Sequence, residues 1–455
     1  MSDTILYKPE DLRPMLMASL AASWVGAVVL IWLFSPWSAV FLIIVGTVVM
    51  VARLPLSTAV VVFILLIPFD LQREIGGIWV YLDFLVAAIA LPLFRFKKGP
   101  PILCWLLVPF FLYFVATGAP RSLVPLGFLR FAVRWGIALC FSAAVAMSGA
   151  AEELVLAAGV TLIPLTTYGL YQLSVGEFGG LFAWMNPEMI ERPWMARSYS
   201  LMWHPNVFGE FAGMISVMLI ALGLKGYKTK LFFTLAAVGI AGLLCAGSRG
   251  ADIGVGIAIL VLLTQTPKYW RKLAVIAVLA FIIWGAQHYD VIPLERVEGL
   301  DATTTESRLL IWGAAYSGWQ QHPWIGLGTK NFVEIMQNFV NFTAVHAHNT
   351  YLQILAETGL VGFALFYLPL LYLLWRAWKA RTVPVVLAGV CALLVWLAHG
   401  FVDVTFLDNP PSLLLLFTVI GLIVGGLPPR KTLQPADSQV SCSLLTKPSF
   451  LNDAH

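Results

Sequence analysis

The sequence predicts an all-α polytopic membrane protein with 12 to 14 transmembrane helices and a long, partly helical loop on its outer face. Three observations carry this. Hydrophobic residues fill 60% of the 455 positions. Charged residues fill only 11%, against about 25% in an average soluble domain, too few to cover a water-facing surface. The apolar residues also come in runs long enough to cross a bilayer, where a soluble core would show short alternations.

Each span needs about 20 apolar residues, because a rise of about 1.5 Å per residue must cross roughly 30 Å of hydrocarbon. Candidate spans lie near 16–34, 36–51, 56–70, 78–94, 101–118, 126–148, 152–174, 207–224, 230–247, 251–265, 273–287, 352–375, 383–401 and 411–426. Several are short, notably 36–51 and 56–70, which sets the range at 12 to 14 with even parity. The first run has no small-residue cleavage site and reads as a retained helix. Residues 1–431 thus form a single integral membrane domain, and 432–455, polar throughout, a disordered cytoplasmic tail.

Lys and Arg set the orientation, since short cytoplasmic loops collect them. With the N-terminus inside, the groups Arg95/Lys97/Lys98, Lys225/Lys228/Lys230, Lys268/Arg271/Lys272, Arg376/Lys379/Arg381 and Arg430/Lys431 all face the cytoplasm, and so does the C-terminus. This topology accounts for most of the net charge of +4, so no nucleic-acid partner is implied. The ten basic residues left outside are Lys330 and nine arginines, at 73, 121, 130, 134, 192, 197, 249, 296 and 308. An outer face that favours arginine suits bidentate grip on carboxylate or phosphate.

Two outer segments, 175–206 and 288–351, are longer than simple connections and are expected to carry the site. The second contains a helix at 305–320, with Arg308, Trp312, Ala315, Tyr316 and Trp319 on one face, suited to lie at the membrane surface. No internal repeat or inverted-repeat symmetry is visible. Cys104, Cys140, Cys245 and Cys391 lie in apolar runs and Cys442 in the tail, without metal-ligand spacing, so neither a disulfide framework nor a cysteine metal centre is expected.

Phosphate-binding Gly-Lys-Ser/Thr loops, Rossmann glycines and zinc helices are all missing, so no cofactor is expected. What remains is polar residues of the outer face: Arg197, His204 and Asn206; Ser248, Arg249 and Gly250 at the mouth of a span; Arg308; and His346, His348 and Asn349 closing the long loop. Each arginine can equally snorkel to headgroups. Arg130 and Arg134, one turn apart inside a span, call for a partner such as Asp83 or Glu210, or for a bound ligand. His346 and His348 stand two apart, so their rings are expected to diverge, and with no third ligand near they make a poor metal site.

The stretch Ser307-Arg308-Leu309-Leu310-Ile311-Trp312, then His322-Pro323-Trp324-Ile325-Gly326-Leu327-Gly328, Asn331-Phe332, and His348-Asn349-Thr350-Tyr351-Leu352-Gln353-Ile354-Leu355-Ala356-Glu357-Thr358-Gly359-Leu360 resembles the O-antigen ligase and polymerase superfamily. Arg197-Ser198-Tyr199 with His204-Pro205-Asn206, and Gly247-Ser248-Arg249-Gly250, are similar to that family's pattern as well. The specific motifs cover roughly 195–365, while the first 190 residues match only as generic apolar spans.

The resemblance implies an inverting, metal-independent glycosyltransferase that moves a glycan from an undecaprenyl-diphosphate donor to an acceptor hydroxyl. The outer face would then be periplasmic and the membrane the bacterial inner membrane. By this carry-over His348 is the catalytic base, Arg197, Arg249 and Arg308 bind the diphosphate donor, and His204, Asn206, Ser248, Trp312, His346 and Asn349 support them. Gly326 and Gly328 would turn the chain after Pro323 and carry Asn331 and Phe332 over the site, and Gly359 and Gly362 would allow close helix contact. Glu357 reads as a polar contact between helices. Lipid A core is the expected acceptor, as in an O-antigen ligase; a polymerase of the same superfamily is the alternative, and a flippase for lipid-linked oligosaccharide the second, on the strength of Arg130 and Arg134.

Overall fold

The computed structural model describes residues 54–69, the backbone of 72–75 and 78–81, and residues 99–175, 197–265, 305–333, 344 and 346–428, apart from Trp203, Tyr227 and Asp408; a few scattered positions before residue 50 are described as well. The spans expected at 16–34, 36–51 and 273–287 and the tail 432–455 lie largely or wholly outside these residues.

Eleven α-helices are described: α1 Leu56–Leu66, α2 Val108–Gly118, α3 Pro125–Ser148, α4 Ala151–Val175, α5 Pro205–Leu224, α6 Thr229–Ala246, α7 Arg249–Leu263, α8 Thr305–Gln321, α9 Thr350–Lys379, α10 Pro384–His399 and α11 Pro410–Gly426. Six apolar stretches, at Ile102–Arg121, α3, α4, α5, α6 and α9, are long enough to cross a membrane, and α1, α10 and α11 are shorter apolar helices. Helix starts follow local chemistry. Proline stands in the first turn of α2, α3, α5, α10 and α11, where its missing N–H costs nothing. The side chains of Asn349 and Asn409 cap α9 and α11 by accepting from Leu352 N and Ser412 N.

One expected span begins differently. Ile78–Tyr81 is a strand, β2, paired antiparallel with β1 at Gln72–Ile75, and Ile75 stands opposite Ile78. In sequence Gly76-Gly77 stands between them, a pair of the kind hairpins favour, and the Ile-Trp-Val-Tyr that follows is β-branched or aromatic at every position. The hydropathy of the run hid this pairing.

Helix α5 is the centre of the bundle. It is mostly apolar, 17 of its 20 residues are buried, and α4, α6, α7, α10 and α11 surround it. Helix α3 packs on α11, and α9 on α2, α8 and α10. The short connections fix the ends. Lys225, Lys228 and Lys230 lie where α5 passes into α6, and Arg376, Lys379 and Arg381 where α9 passes into α10. The starts of α5, α7, α9 and α11 therefore meet the ends of α6 and α10 at the opposite pole, away from these cations.

Helix α8 forms as expected, but its buried stripe is Ile311, Ala314 and Ala315, which pack with Phe332, Ala344, Ala347 and Ala356. Of the expected face only Ala315 is in this stripe; Tyr316 is 48% exposed, while Arg308, Trp312 and Trp319 are half-buried. Small residues allow the close approach to α9 that an aromatic stripe would prevent.

The chain leaving α8 forms a strap across α9. Leu360 N and Val361 N donate to Pro323 O and Trp324 O at 2.8 and 3.2 Å, and Leu327 N and Gly328 N donate to Ala356 O and Glu357 O at 2.9 and 3.0 Å. These bonds satisfy backbone groups freed where α9 breaks at Gly359 (φ 65°, ψ −172°). Gly326 and Gly328 do make the expected tight turns at φ 69° and 98°. Asn331 is not carried over the site; it accepts from Leu123 N and donates to Arg121 O, pinning the strap to the α2–α3 turn. Glu357 contacts the strap as well, accepting from Lys330 N at 3.1 Å. Gly362 faces Tyr113 of α2, a close helix contact as expected, whereas Gly359 meets the strap backbone at Trp324 and Ile325.

A Cβ at Gly326 would collide with the backbone of Glu357 and would also hold a positive φ. Gly326→Ala should therefore lower stability by about 1–3 kcal/mol. The check is the thermal unfolding midpoint in detergent, and an unchanged midpoint would show that the strap contributes nothing to holding α9.

Candidate active site

Most of the polar residues singled out in the sequence, Arg308 and Trp312 excepted, converge at the pole where α5, α7, α9 and α11 begin. Asn206, in the first turn of α5, is the connecting group. Its Oδ1 accepts from Arg197 Nη2 at 2.6 Å, and its Nδ2 donates to Asp403 Oδ2. Arg197 is held from its other edge by Nε donating to Ala246 O at 2.9 Å, the last residue of α6. Asp403 Oδ1 faces His348 Nδ1 at 3.1 Å and also accepts from Val404 N at 2.8 Å. One continuous string thus runs from the end of α6 through Arg197, Asn206 and Asp403 to His348.

His348 occupies a strained place. Its φ is 46°, a left-handed conformation that His tolerates better than most residues. The residues on either side are clamped: Ala347 N donates to Gln353 Oε1 at 2.6 Å, Asn349 Nδ2 to Phe401 O at 3.0 Å, and Thr350 Oγ1 to Asp403 O at 2.8 Å. The hydrogen bond of Nδ1 to Asp403 points to the Nδ1–H tautomer and leaves Nε2 as the acceptor.

The left-handed turn also corrects the expected divergence of the two histidines. The His346 and His348 rings meet edge to face with centroids 4.3 Å apart. Asp403 supplies the third group the sequence lacked, and one ligand atom from each of His346, His348 and Asp403 lies within 4.8 Å of the others. The fold thus builds a cluster of three possible ligand groups where i, i+2 spacing predicted none.

The electrostatics separate the three imidazoles. Burial pushes His204 down to about 4, against the pull of Asp403, and pushes His346 down to about 3 with help from His348. Both are therefore neutral near pH 7. Burial alone would raise Asp403, but the His348 hydrogen bond and the neighbouring imidazoles hold it well below the usual carboxylate range. His204 has a local duty too, since its Nδ1 accepts from Asn206 N at 3.2 Å at the start of α5.

Arg249 begins α7 and is exposed, while Ser248 before it is buried. The Ser248 hydroxyl does not cap the helix; it lies 3.4 Å from His399 Nε2. His399 Nδ1 in turn lies 2.6 Å from Glu210 Oε2, which also accepts from Thr405 Oγ1 at 2.7 Å. Glu210 therefore serves His399 and Thr405, and the pairing expected with Arg130 or Arg134 is not made through this oxygen. Arg134 instead stands near Lys330, whose amine is pushed down to about 8 by burial, against the pull of Glu357. Asp83 lies outside the described residues.

Arg308 and Trp312 stand apart from this network on α8, with Arg308 Nε and Trp312 Nε1 buried and, among the described residues, without hydrogen-bond partners. Sequence reading missed Asp403, His399, Glu210 as a partner of His399, and Thr405. A signal was available in His399 and Asp403, a histidine and an acid within an otherwise apolar stretch near a span end, which the rarity of such groups in a bilayer makes informative.

The described residues thus form a helical membrane protein that gathers Arg197, Asn206, Asp403 and several imidazoles at one pole of its bundle. Residues 231–367 match the family model described as O-antigen ligase, so this stretch of the chain is similar to that family. The matched stretch holds Ser248, Arg249, Arg308, His346, His348 and Asn349, while Arg197, His204, Asn206, His399 and Asp403 reach the site from outside it. No curated protein matches the chain.

Proposed function

We propose that this chain transfers a polysaccharide from undecaprenyl diphosphate to a hydroxyl of lipid A core, with inversion at C1 and without a metal, at the periplasmic face of the bacterial inner membrane. The observation that carries this reading is the string Arg197–Asn206–Asp403–His348, which sets a cation and a supported base on one framework. The acceptor hydroxyl attacks C1 of the donor sugar as its proton passes to His348 Nε2, and the C1–O bond to the diphosphate breaks. Arg197 and Arg249 neutralise the departing diphosphate, and Arg308, with its buried unpaired Nε, binds the donor farther out. The uncapped start of α7 adds its partial positive charge beside Arg249.

The pole bearing Lys225, Lys228, Lys230, Arg376, Lys379 and Arg381 is opposite the site, so the bias of basic loops toward the cytoplasm favours a periplasmic site and cytoplasmic termini. A polymerase that lengthens the glycan on its carrier would use the same groups with a different acceptor. The flippase reading loses ground because Arg134 lies in the first half of α3 beside Lys330 of the strap, within the charged group at one pole.

The test is transfer by purified protein in EDTA, with undecaprenyl-diphosphate glycan as donor and either lipid A core or a second donor molecule as sole acceptor. Product on lipid A core supports the ligase; product only as lengthened carrier-linked glycan assigns the polymerase; no product with either refutes transfer. Arg249→Ala in the same assay should lose more than tenfold, since a charge-assisted contact contributes about 1.5–3 kcal/mol. A smaller loss with normal expression would remove Arg249 from the diphosphate pocket.

A further inference from the structure

Glu210 and His399 take no part in the chemistry above, yet both are buried at about 1% exposure, near the start of α5 and at the end of α10. Such a pair is costly to desolvate and gives little stability beyond what apolar side chains of the same size would give. Its two ends are more informative than its middle. At one end His399 Nε2 meets the hydroxyl of Ser248, the residue immediately before Arg249. At the other, Glu210 Oε2 receives the hydroxyl of Thr405, two residues beyond Asp403. A Cβ on Gly250 would collide with the His399 ring and with Val402, so the Arg249 turn is seated directly against the end of α10.

We propose that Glu210 and His399 are positioning residues: a buried strut between the 248–250 turn and the 403–405 loop that sets Arg249 relative to the Asp403–His348 pair. Like the Arg197–Asn206–Asp403 string, it ends on the 403–405 loop. The strut keeps the leaving-group cation and the base in register, which matters because a displacement of about 1 Å remote from the chemistry can cost about 100-fold in rate. This inference rests on the roles given above to Arg249 and His348.

The test measures kcat and donor KM for the full chain as wild type, Glu210→Gln, Ser248→Ala, Arg249→Ala and the double variant Glu210→Gln/Arg249→Ala. Glu210→Gln removes the carboxylate that holds His399, and Ser248→Ala cuts only the far end of the strut, so it remains decisive if the first variant folds poorly. Each strut variant should lower kcat about tenfold or more while donor KM stays within about threefold. The double variant should fall no more than about threefold below Arg249→Ala alone, because coupled residues do not add. Wild-type kcat in both strut variants, or losses that multiply in the double variant, would overturn the strut while leaving Arg249 in place. Full activity of Arg249→Ala would instead overturn the diphosphate reading, and the strut's role with it.

Discussion

Alanine at His348 is expected to reduce transfer by about 100- to 10,000-fold, the range over which a positioned general base contributes. The other two imidazoles at the site cannot take its place. With His204 at about 4 and His346 at about 3, each is a weak acceptor for the proton of an attacking hydroxyl. Of His204, His346 and His348, only His348 has the Asp403 carboxylate on its Nδ1, so the positive charge that develops as Nε2 gains a proton is stabilised where it forms. The measurement is initial rate of transfer in purified protein, with thermal midpoint as the control for folding. Activity within tenfold of wild type at an unchanged midpoint would mean that the base lies elsewhere.

Much of the bundle was legible because bilayer-crossing helices need long apolar runs, and proline or asparagine marks where several begin. The 126–148, 207–224 and 352–375 spans agree with α3, α5 and α9 to within a few residues. The hairpin at 72–81 was not legible by hydropathy, since Ile78-Trp79-Val80-Tyr81 is as apolar as a span and only Gly76-Gly77 betrays the reversal. The break in α9 was equally silent. Gly359 reads as ordinary packing until the strap is seen lying against it.

At the site, the residues with motif context were found and their neighbours across the fold were not. Arg197, Asn206 and His348 could be picked out in sequence, but the group that joins them, Asp403, is 55 residues from His348 and 197 from Asn206. The same holds for Glu210 and His399, 189 residues apart. Long-range pairs of this kind leave no spacing signal. The ring contact of His346 with His348 was misread for a local reason: alternate side chains diverge only in regular backbone, and His348 at φ 46° is not regular.

Asp403→Asn should cost nearly as much as loss of the base, about 100-fold or more, although it changes no shape. The carboxylate accepts on both sides, from His348 Nδ1 and Val404 N at Oδ1 and from Asn206 Nδ2 at Oδ2. An asparagine keeps one acceptor and gains one NH2 group, and both orientations fail. With its NH2 toward Asn206, two donors oppose each other and Arg197 loses the partner held for it by the Asn206 amide. With its NH2 toward His348, Nδ1 must become the acceptor, and the proton moves to Nε2, the nitrogen needed empty for catalysis. The effect should fall on kcat, with donor KM changed by less than about threefold. In the wild type Asp403 is held well below the usual carboxylate range, so it is ionised at every pH above about 4, and the rate profile should show no rising limb from this group above that pH. A fully active Asp403→Asn, or a loss expressed only in donor KM, would detach Asp403 from the base and assign it to holding the fold.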